Sequence, residues 1–361
     1  MKVGLIGLGE VAQLMHLPLL KDCRDKFQIT AVSDVSPSLV GYVKDAYQIP
    51  QGYLDARELI EKSDAKAIFI LAPDQYHGEY IEWALKKQKH IFVEKPAVLA
   101  SEELKKLLLL QQEYPDQIIM VGLMRRFADP FLKAKELLTA APLKTEYLRF
   151  RDIICEGPFY IGQTRPVFYP KDIPPDIIEE GKKRRQEHLN WALGSGATEE
   201  QRTAYQMLTG LGCHSFSAVR ELFGQPKTIH SVTTAKGGAH LVVVMEYDEF
   251  LGIYELINDQ DIVQFDAAIE IFQHTRKISI KYETPYIRYQ PQYLEVVDST
   301  KTETGKRIFG PSYRDPFVAE LHEFCDCIIH QRQPKTDLAD ALEDLKTFEL
   351  IVGAIGKGNA Q

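Results

Sequence analysis

Val3-Gly4-Leu5-Ile6-Gly7-Leu8-Gly9-Glu10-Val11-Ala12 opens the chain as a buried apolar strand, a tight glycine turn and the first residues of a helix. The turn fits the G-x-G-x-x-G/A pattern. Gly7 permits the bend, Gly9 lets the backbone approach a pyrophosphate, and Ala12 keeps the helix close to the sheet. A helix start there offers unpaired N–H groups and a positive dipole end to phosphates. Alone, the pattern is also that of a glycine turn that binds nothing. Asp34, at the end of a second strand roughly twenty residues on, shifts the reading to dinucleotide binding. A carboxylate there accepts from both adenosine ribose hydroxyls and repels a 2′-phosphate, favouring NAD over NADP. Asp34 capping the helix that begins near Pro37 is the plainer alternative, and the two roles are compatible.

Working outward, strand-like runs at Lys2–Gly7, Phe27–Ser33, Ala67–Leu71, His90–Val93 and Ile118–Val121 alternate with helical stretches. Those helices are expected at Val11–Leu20, Pro37–Ala46, Ala56–Glu61, Gly78–Lys87 and Ser101–Glu113. Such alternation predicts a doubly wound parallel sheet of the Rossmann kind over residues 1–122. After Gly122 comes a helix at Pro130–Leu138, then strand patterns joined by short polar turns: Thr145–Arg151, Thr228–Thr234, His240–Tyr247, Leu251–Ile257, Ala267–Phe272 and Lys277–Tyr282. They predict a second, α+β domain over 123–361 with a large, mostly antiparallel open sheet. Helix returns from Pro316 to Ile355, broken near Gln333-Pro334. Residues 155–205 form an irregular insertion, rich in proline and carrying the basic run Lys182-Lys183-Arg184-Arg185. A loop or short helix folding over a substrate cleft is expected there, and a solvated face for the basic run.

The 361 residues suit two domains, and 45% hydrophobic with 26% charged residues is ordinary globular composition. A formal charge of −8 argues against a nucleic-acid surface, which needs a basic face. No apolar run has membrane-spanning length, and no leader pattern precedes the first strand. The five scattered cysteines have neither redox nor zinc-ligand spacing, so no metal site and a reduced, cytoplasmic protein are expected.

Val93-Glu94-Lys95-Pro96-Ala97 places an ammonium and a carboxylate at the C-terminal end of a predicted strand, the edge where open parallel sheets hold ligands. An ammonium beside a substrate hydroxyl favours its ionised form. A lysine at a strand end is otherwise an ordinary surface charge. Together with Leu71-Ala72-Pro73-Asp74-Gln75-Tyr76-His77 and Gly122-Leu123-Met124-Arg125-Arg126-Phe127, in this order, these blocks resemble the glucose–fructose oxidoreductase / inositol dehydrogenase (Gfo/Idh/MocA) family. The resemblance runs along nearly the whole chain, including Phe317–Ile329 and Asp337–Ile351.

The resemblance implies an NAD(P)-dependent dehydrogenase or reductase acting on a sugar, sugar acid or cyclitol. Leu8, Gly9, Glu10 and Val11 would meet the pyrophosphate and Asp34 the adenosine ribose. Leu71, Ala72, Pro73, Asp74 and His77 would line the cofactor's middle, Asp74 standing where the family more often has asparagine. Glu94 would lie near the nicotinamide and Lys95 would reach nicotinamide ribose and substrate. Arg126 and Phe127 would face the substrate. His16 sits where the family often carries a cleft-facing histidine, a core or capping role being the alternative. His214 is the candidate general base, although Gly210 and Ser217 stand where that family commonly places acids. A core histidine is the other reading of His214. Two rivals stay open: a redox-neutral lyase, hydrolase or epimerase on the same cofactor, and, motivated by Gly210 and Ser217 in place of acids, a non-catalytic dinucleotide-binding regulator. A homodimer or homotetramer through the open sheet is implied as well.

Overall fold

A computed structural model describes residues 1–154, 157–164 and 166–356; Cys155, where the irregular insertion was expected to begin, lies outside them. The first part runs β1 (Lys2–Ile6), a π-type turn Ala12–His16 continuing into α1 (Leu17–Asp22), β2 (Gln28–Ser33), α2 (Pro37–Tyr47), β3 (Gln51–Tyr53), α3 (Ala56–Lys62), β4 (Ala67–Ile70), α4 (His77–Lys86), β5 (His90–Val93), α5 (Ser101–Gln111) and β6 (Ile119–Val121). Next come α6 (Asp129–Ala140), β7 (Thr145–Ile154), α7 (Gly157–Ile161), α8 (Pro175–Leu193), α9 (Glu199–Met207), a second π-type turn at Leu208–Gly212 and α10 (Cys213–Phe223). The remainder is β8 (Thr228–Ala235), β9 (His240–Glu246), β10 (Leu251–Asn258), β11 (Phe265–Gln273), β12 (Arg276–Tyr282), β13 (Gln292–Ser299), β14 (Thr304–Ser312), α11 (Pro316–His330) and α12 (Leu338–Ala354).

Two compact units result. Of the described residues, one unit comprises 1–122, 166–195 and 320–345; the other comprises 123–154, 157–164, 196–319 and 346–356. In the first, six strands lie in the order β3-β2-β1-β4-β5-β6, all parallel. The strands β4 and β6 are apolar and buried throughout, and β1, β2 and β5 are buried over all but their first one or two residues, as burial on both faces requires. Phe69 and Phe92 stack with ring centroids 5.0 Å apart, and Phe324 presents an edge to each at 5.8 and 5.7 Å. The core of a parallel sheet built from the first 122 residues is therefore finished by a side chain two hundred residues later.

The second unit holds eight strands in the order β14-β13-β12-β11-β7-β10-β9-β8. Every pairing is antiparallel except β7 with β10, which run parallel at the centre. That exception follows from chain order, since β8, β9 and β10 form a meander that rejoins β7 only after the long helical excursion between them. The expected mostly antiparallel sheet is present, with β13 and β14 as strands that alternation did not reveal. β14 (Thr-Gly-Lys-Arg-Ile-Phe-Gly-Pro-Ser) is nearly all exposed and carries charge, glycine and proline, the composition of an edge strand.

The insertion corrects the sequence expectation. Instead of an irregular loop, residues 175–193 form a nineteen-residue helix, α8, with proline in its first turn. Only Gly181 and Leu189 are buried along it, so no apolar stripe advertised it. Within its basic run Lys182 and Lys183 face solvent as expected, whereas Arg184 bonds Glu79 at 2.8 Å and the Gln75 carbonyl at 2.9 Å, lying over the Tyr76 ring.

Candidate active site

Gly7 has φ of 87°, and a Cβ there would fall 2.6 Å from the Ala72 backbone. Beside Gly9, by contrast, a Cβ would meet nothing within 4 Å, so this side of the turn is open for a pyrophosphate. Leu8 is fully buried, Glu10 lies at the rim and Val11 is 42% exposed at the helix start. The Leu8 N–H donates to Asp34 at 2.9 Å and the Ser36 N–H donates to its other oxygen at 3.0 Å. Burial raises the pKa of Asp34, against the pull of these two bonds. The cap of α2 is Ser36, whose hydroxyl accepts from Leu39 N–H at 3.1 Å. Asp34 thus ties the end of β2 to the glycine turn rather than capping the helix directly.

These residues fit a dinucleotide: a cradle that a side chain at position 7 would fill, an open approach at Gly9, and a carboxylate where ribose hydroxyls would donate. Replacing Gly7 with alanine forces both positive φ and a backbone clash. We expect a loss of about 1–3 kcal/mol in stability together with loss of dinucleotide binding, checked by denaturant titration and calorimetry; an alanine variant that binds as wild type does would refute this account of the turn.

Further along the same edge, Leu71 N–H donates to the Ile6 carbonyl at 2.8 Å, keeping Leu71, Ala72 and Pro73 beside the turn. Asp74 keeps one buried oxygen, Oδ1, with no hydrogen-bond partner among the described residues, while Oδ2 lies 3.4 Å from Arg185. His77 is 1% exposed, its ring nitrogens 2.8 Å from the Pro96 carbonyl and 2.7 Å from that of Ala72. It therefore braces the loop after β4 against the loop after β5.

Glu94 and Lys95 follow β5. His16 Nε2 lies 2.7 Å from Glu94 Oε1, and the Lys95 N–H donates to Oε2 at 3.1 Å. Burial pushes the Glu94 carboxyl up, but the His16 bond and the Lys95 ammonium outweigh it and hold it below its ordinary value. The carboxylate is thus ionised at neutral pH, beside a half-buried lysine. His16 is 1% exposed, with its edge toward Phe92 at 5.4 Å and no partner on Nδ1 among the described residues. It is a core histidine with a job: it fixes the carboxylate next to Lys95. Its π-type turn was invisible in the sequence; such turns recur at functional sites.

In the second unit, Arg126 is 3% exposed and its Nε donates to Glu221 at 2.6 Å. The structure gives this guanidinium a protein carboxylate, and Phe127 is buried beside it in sequence at 6% exposure. The neighbouring Arg125, which sequence reasoning passed over, anchors a buried network. Its guanidinium donates to Asp152 at 2.5 Å and to Ser215 Oγ at 2.8 Å, while Tyr254 donates to Asp152 at 2.9 Å. His214, one residue before Ser215, is 8% exposed on α10, and Ser217 is fully buried with its hydroxyl on the His214 carbonyl at 3.3 Å. Gly210 lies in the second π-type turn, where a Cβ would meet nothing within 4 Å. An acid would fit there, and this chain has none.

Arg125 also lines a small pocket of about 60 Å³ with Met124, Tyr282, Thr284, Arg288 and Asp315. The hydroxyls of Tyr282 and Thr284 are buried and have no hydrogen-bond partner among the described residues. Only spatial convergence identifies these groups, because no local motif contains them.

Residues 1–123 match the model of the GFO_IDH_MocA group, described as an oxidoreductase family with an NAD-binding Rossmann fold. The chain is 31% identical over 136 residues to a myo-inositol 2-dehydrogenase of Thermotoga maritima, covering 38% of this chain and 40% of the relative. It is 28% identical over 201 residues to 1-carboxy-3-chloro-3,4-dihydroxycyclohexa-1,5-diene dehydrogenase of Comamonas testosteroni, covering 56% and 44%. It thus spans under half the length of these curated relatives. Among solved structures, a myo-inositol 2-dehydrogenase of Lactobacillus plantarum superposes with a TM-score of 0.73 at 18% identity, over 99% of this chain and 98% of that one. A scyllo-inositol dehydrogenase of Lactobacillus casei with bound NAD(H) and scyllo-inositol gives 0.70 at 18%, over 99% and 97%. Residues 1–123, which carry the glycine turn, Asp34 and Lys95, thus match the NAD-binding Rossmann domain of the Gfo/Idh/MocA oxidoreductase family, and the fold agrees with the two solved structures over 99% of the chain.

Proposed function

We propose that the protein is an NAD-dependent oxidoreductase that moves a hydride between nicotinamide and a carbinol or carbonyl carbon of a sugar, sugar acid or cyclitol. One observation carries the reading: the edge of the parallel sheet that holds the glycine turn and Asp34 also holds the ionised Glu94 and Lys95. NAD, when bound, supplies the hydride acceptor. Lys95 donates to the substrate hydroxyl and stabilises its oxygen as the carbon loses hydride. His214 takes the hydroxyl proton in this reading, and the imidazole suits that task near neutral pH. The relatives' printed activities on inositols support the substrate class. No helix among the described residues is long and apolar enough to cross a membrane; a cytoplasmic homodimer or homotetramer completes the proposal. The test is a panel of polyols, aldonates and inositols assayed at the nicotinamide absorbance band with NAD and NADP. Absence of turnover with every member would overturn the reading.

A second reading uses the same dinucleotide cradle and Lys95. In it, the cofactor stays bound and the overall reaction is redox-neutral. Dinucleotide that co-purifies and fails to exchange with labelled NAD would support this reading over the first.

A further inference from the structure

Beyond the glycine turn and Asp34, the first unit has a short strap, residues 168–172, that crosses the starts of two helices. The Phe168 N–H donates to Gln13 Oε1 at 2.8 Å, and Gln13 Nε2 donates back to the Phe168 carbonyl at 3.0 Å. The Phe168 ring stacks on Tyr42 with centroids 4.8 Å apart, and the Tyr169 hydroxyl donates to Glu10 at 2.6 Å. At its end, Asp172 accepts from the Ser36 hydroxyl at 2.5 Å and from both the backbone N–H and the hydroxyl of Ser38 at 2.8 Å.

The donors at the start of α2 are then fully committed. Pro37 has no N–H, Ser38 N–H goes to Asp172, and Leu39 N–H goes to Ser36 Oγ. A helix N-terminus with two serines is a natural seat for an anion, and here the protein's own carboxylate sits in it. This is also where the substituent on the ribose 2′-oxygen is read, because Asp34, the residue after β2, precedes Ser36 by two positions and Ser38 by four.

We infer that Asp172 is a second cofactor discriminator: it occupies the α2 anion seat and bars a 2′-phosphorylated dinucleotide, so that the choice of NAD is made by two carboxylates from distant parts of the chain. A phosphate approaching this seat finds its donors taken and a negative charge in place. The mutual repulsion of the two acids is felt already, since Asp172 adds to burial in raising the pKa of Asp34.

The inference rests on the NAD reading above, and calorimetry on the purified full chain separates the two. Dissociation constants are measured for NAD, NADP and adenosine 2′,5′-bisphosphate with wild type, Asp172→Ala and Asp172→Asn. The asparagine variant keeps an acceptor for Ser38 and removes only the charge. In both variants the ratio of the NADP to the NAD dissociation constant is expected to fall at least tenfold, about 1.4 kcal/mol, with adenosine 2′,5′-bisphosphate tightening in parallel. A strap of purely structural value would weaken both dinucleotides together and leave the ratio alone. If wild type binds NAD and the ratio falls by less than tenfold, the inference is overturned and the NAD reading stands. Wild type that takes up neither dinucleotide overturns both.

Discussion

Exchange of Lys95 for methionine is expected to lower kcat by about 10²–10⁴-fold, the range for removing a positioned proton-transfer or charge-stabilising group. Methionine keeps an unbranched apolar stem, so packing changes little while the ammonium is lost. The effect should fall on kcat more than on dinucleotide affinity, because the turn at Gly7–Gly9 and Asp34 are untouched. Local geometry makes the prediction sharp. The Lys95 backbone is pinned by its N–H on Glu94, and that carboxylate is held in turn by His16. Removing the ammonium withdraws one of the influences that keep Glu94 ionised, so its pKa should rise toward the value burial alone dictates. Steady-state kinetics with the best substrate of the panel, alongside calorimetry with NAD, reads both effects. A methionine variant with undiminished kcat removes Lys95 from the chemistry.

Breaking the Arg125–Asp152 pair is expected to cost about 3–5 kcal/mol of stability. Their side chains are 5% and 0% exposed, so either single change leaves an uncompensated charge or an unmet acceptor inside the second unit. Arg125→Met leaves the Asp152 carboxylate beside the Tyr254 hydroxyl with no compensating charge from residue 125; Asp152→Leu strands the guanidinium. The double variant should recover much of the loss, since two apolar groups of similar volume leave nothing unpaired. Urea denaturation of the four proteins forms a double-mutant cycle. Single variants as stable as wild type would mean that water reaches the pair.

What the sequence made legible was chemistry packed into short windows. Gly7, Gly9 and Asp34 could be read because the absence of a Cβ and the position of a carboxylate have local meaning, and strand–helix alternation carries its own period. The Arg125 network could not be read: its partners lie 27, 90 and 102 residues apart, and nothing about Asp152 or Tyr254 in isolation marks them as neighbours. The prominent Arg126 drew attention, and the structure pairs it with Glu221. α8 stayed hidden for a different reason. Its sequence is polar on nearly every side, so the periodicity that reveals helices by their apolar stripe was absent. Both π-type turns, at Ala12–His16 and Leu208–Gly212, depend on one extra residue per turn and leave no compositional trace.

The late arrival of Phe324 against the stacked Phe69 and Phe92 has a consequence for biosynthesis. As the chain emerges from the ribosome, the six-stranded sheet is translated early yet lacks α8 until about half of the polypeptide has been made, and its covering aromatic ring until nearly all of it has. Nascent chains paused near position 122 should display that phenylalanine-lined face to chaperones, and folding of the unit should be released only once residues beyond 324 have cleared the exit tunnel.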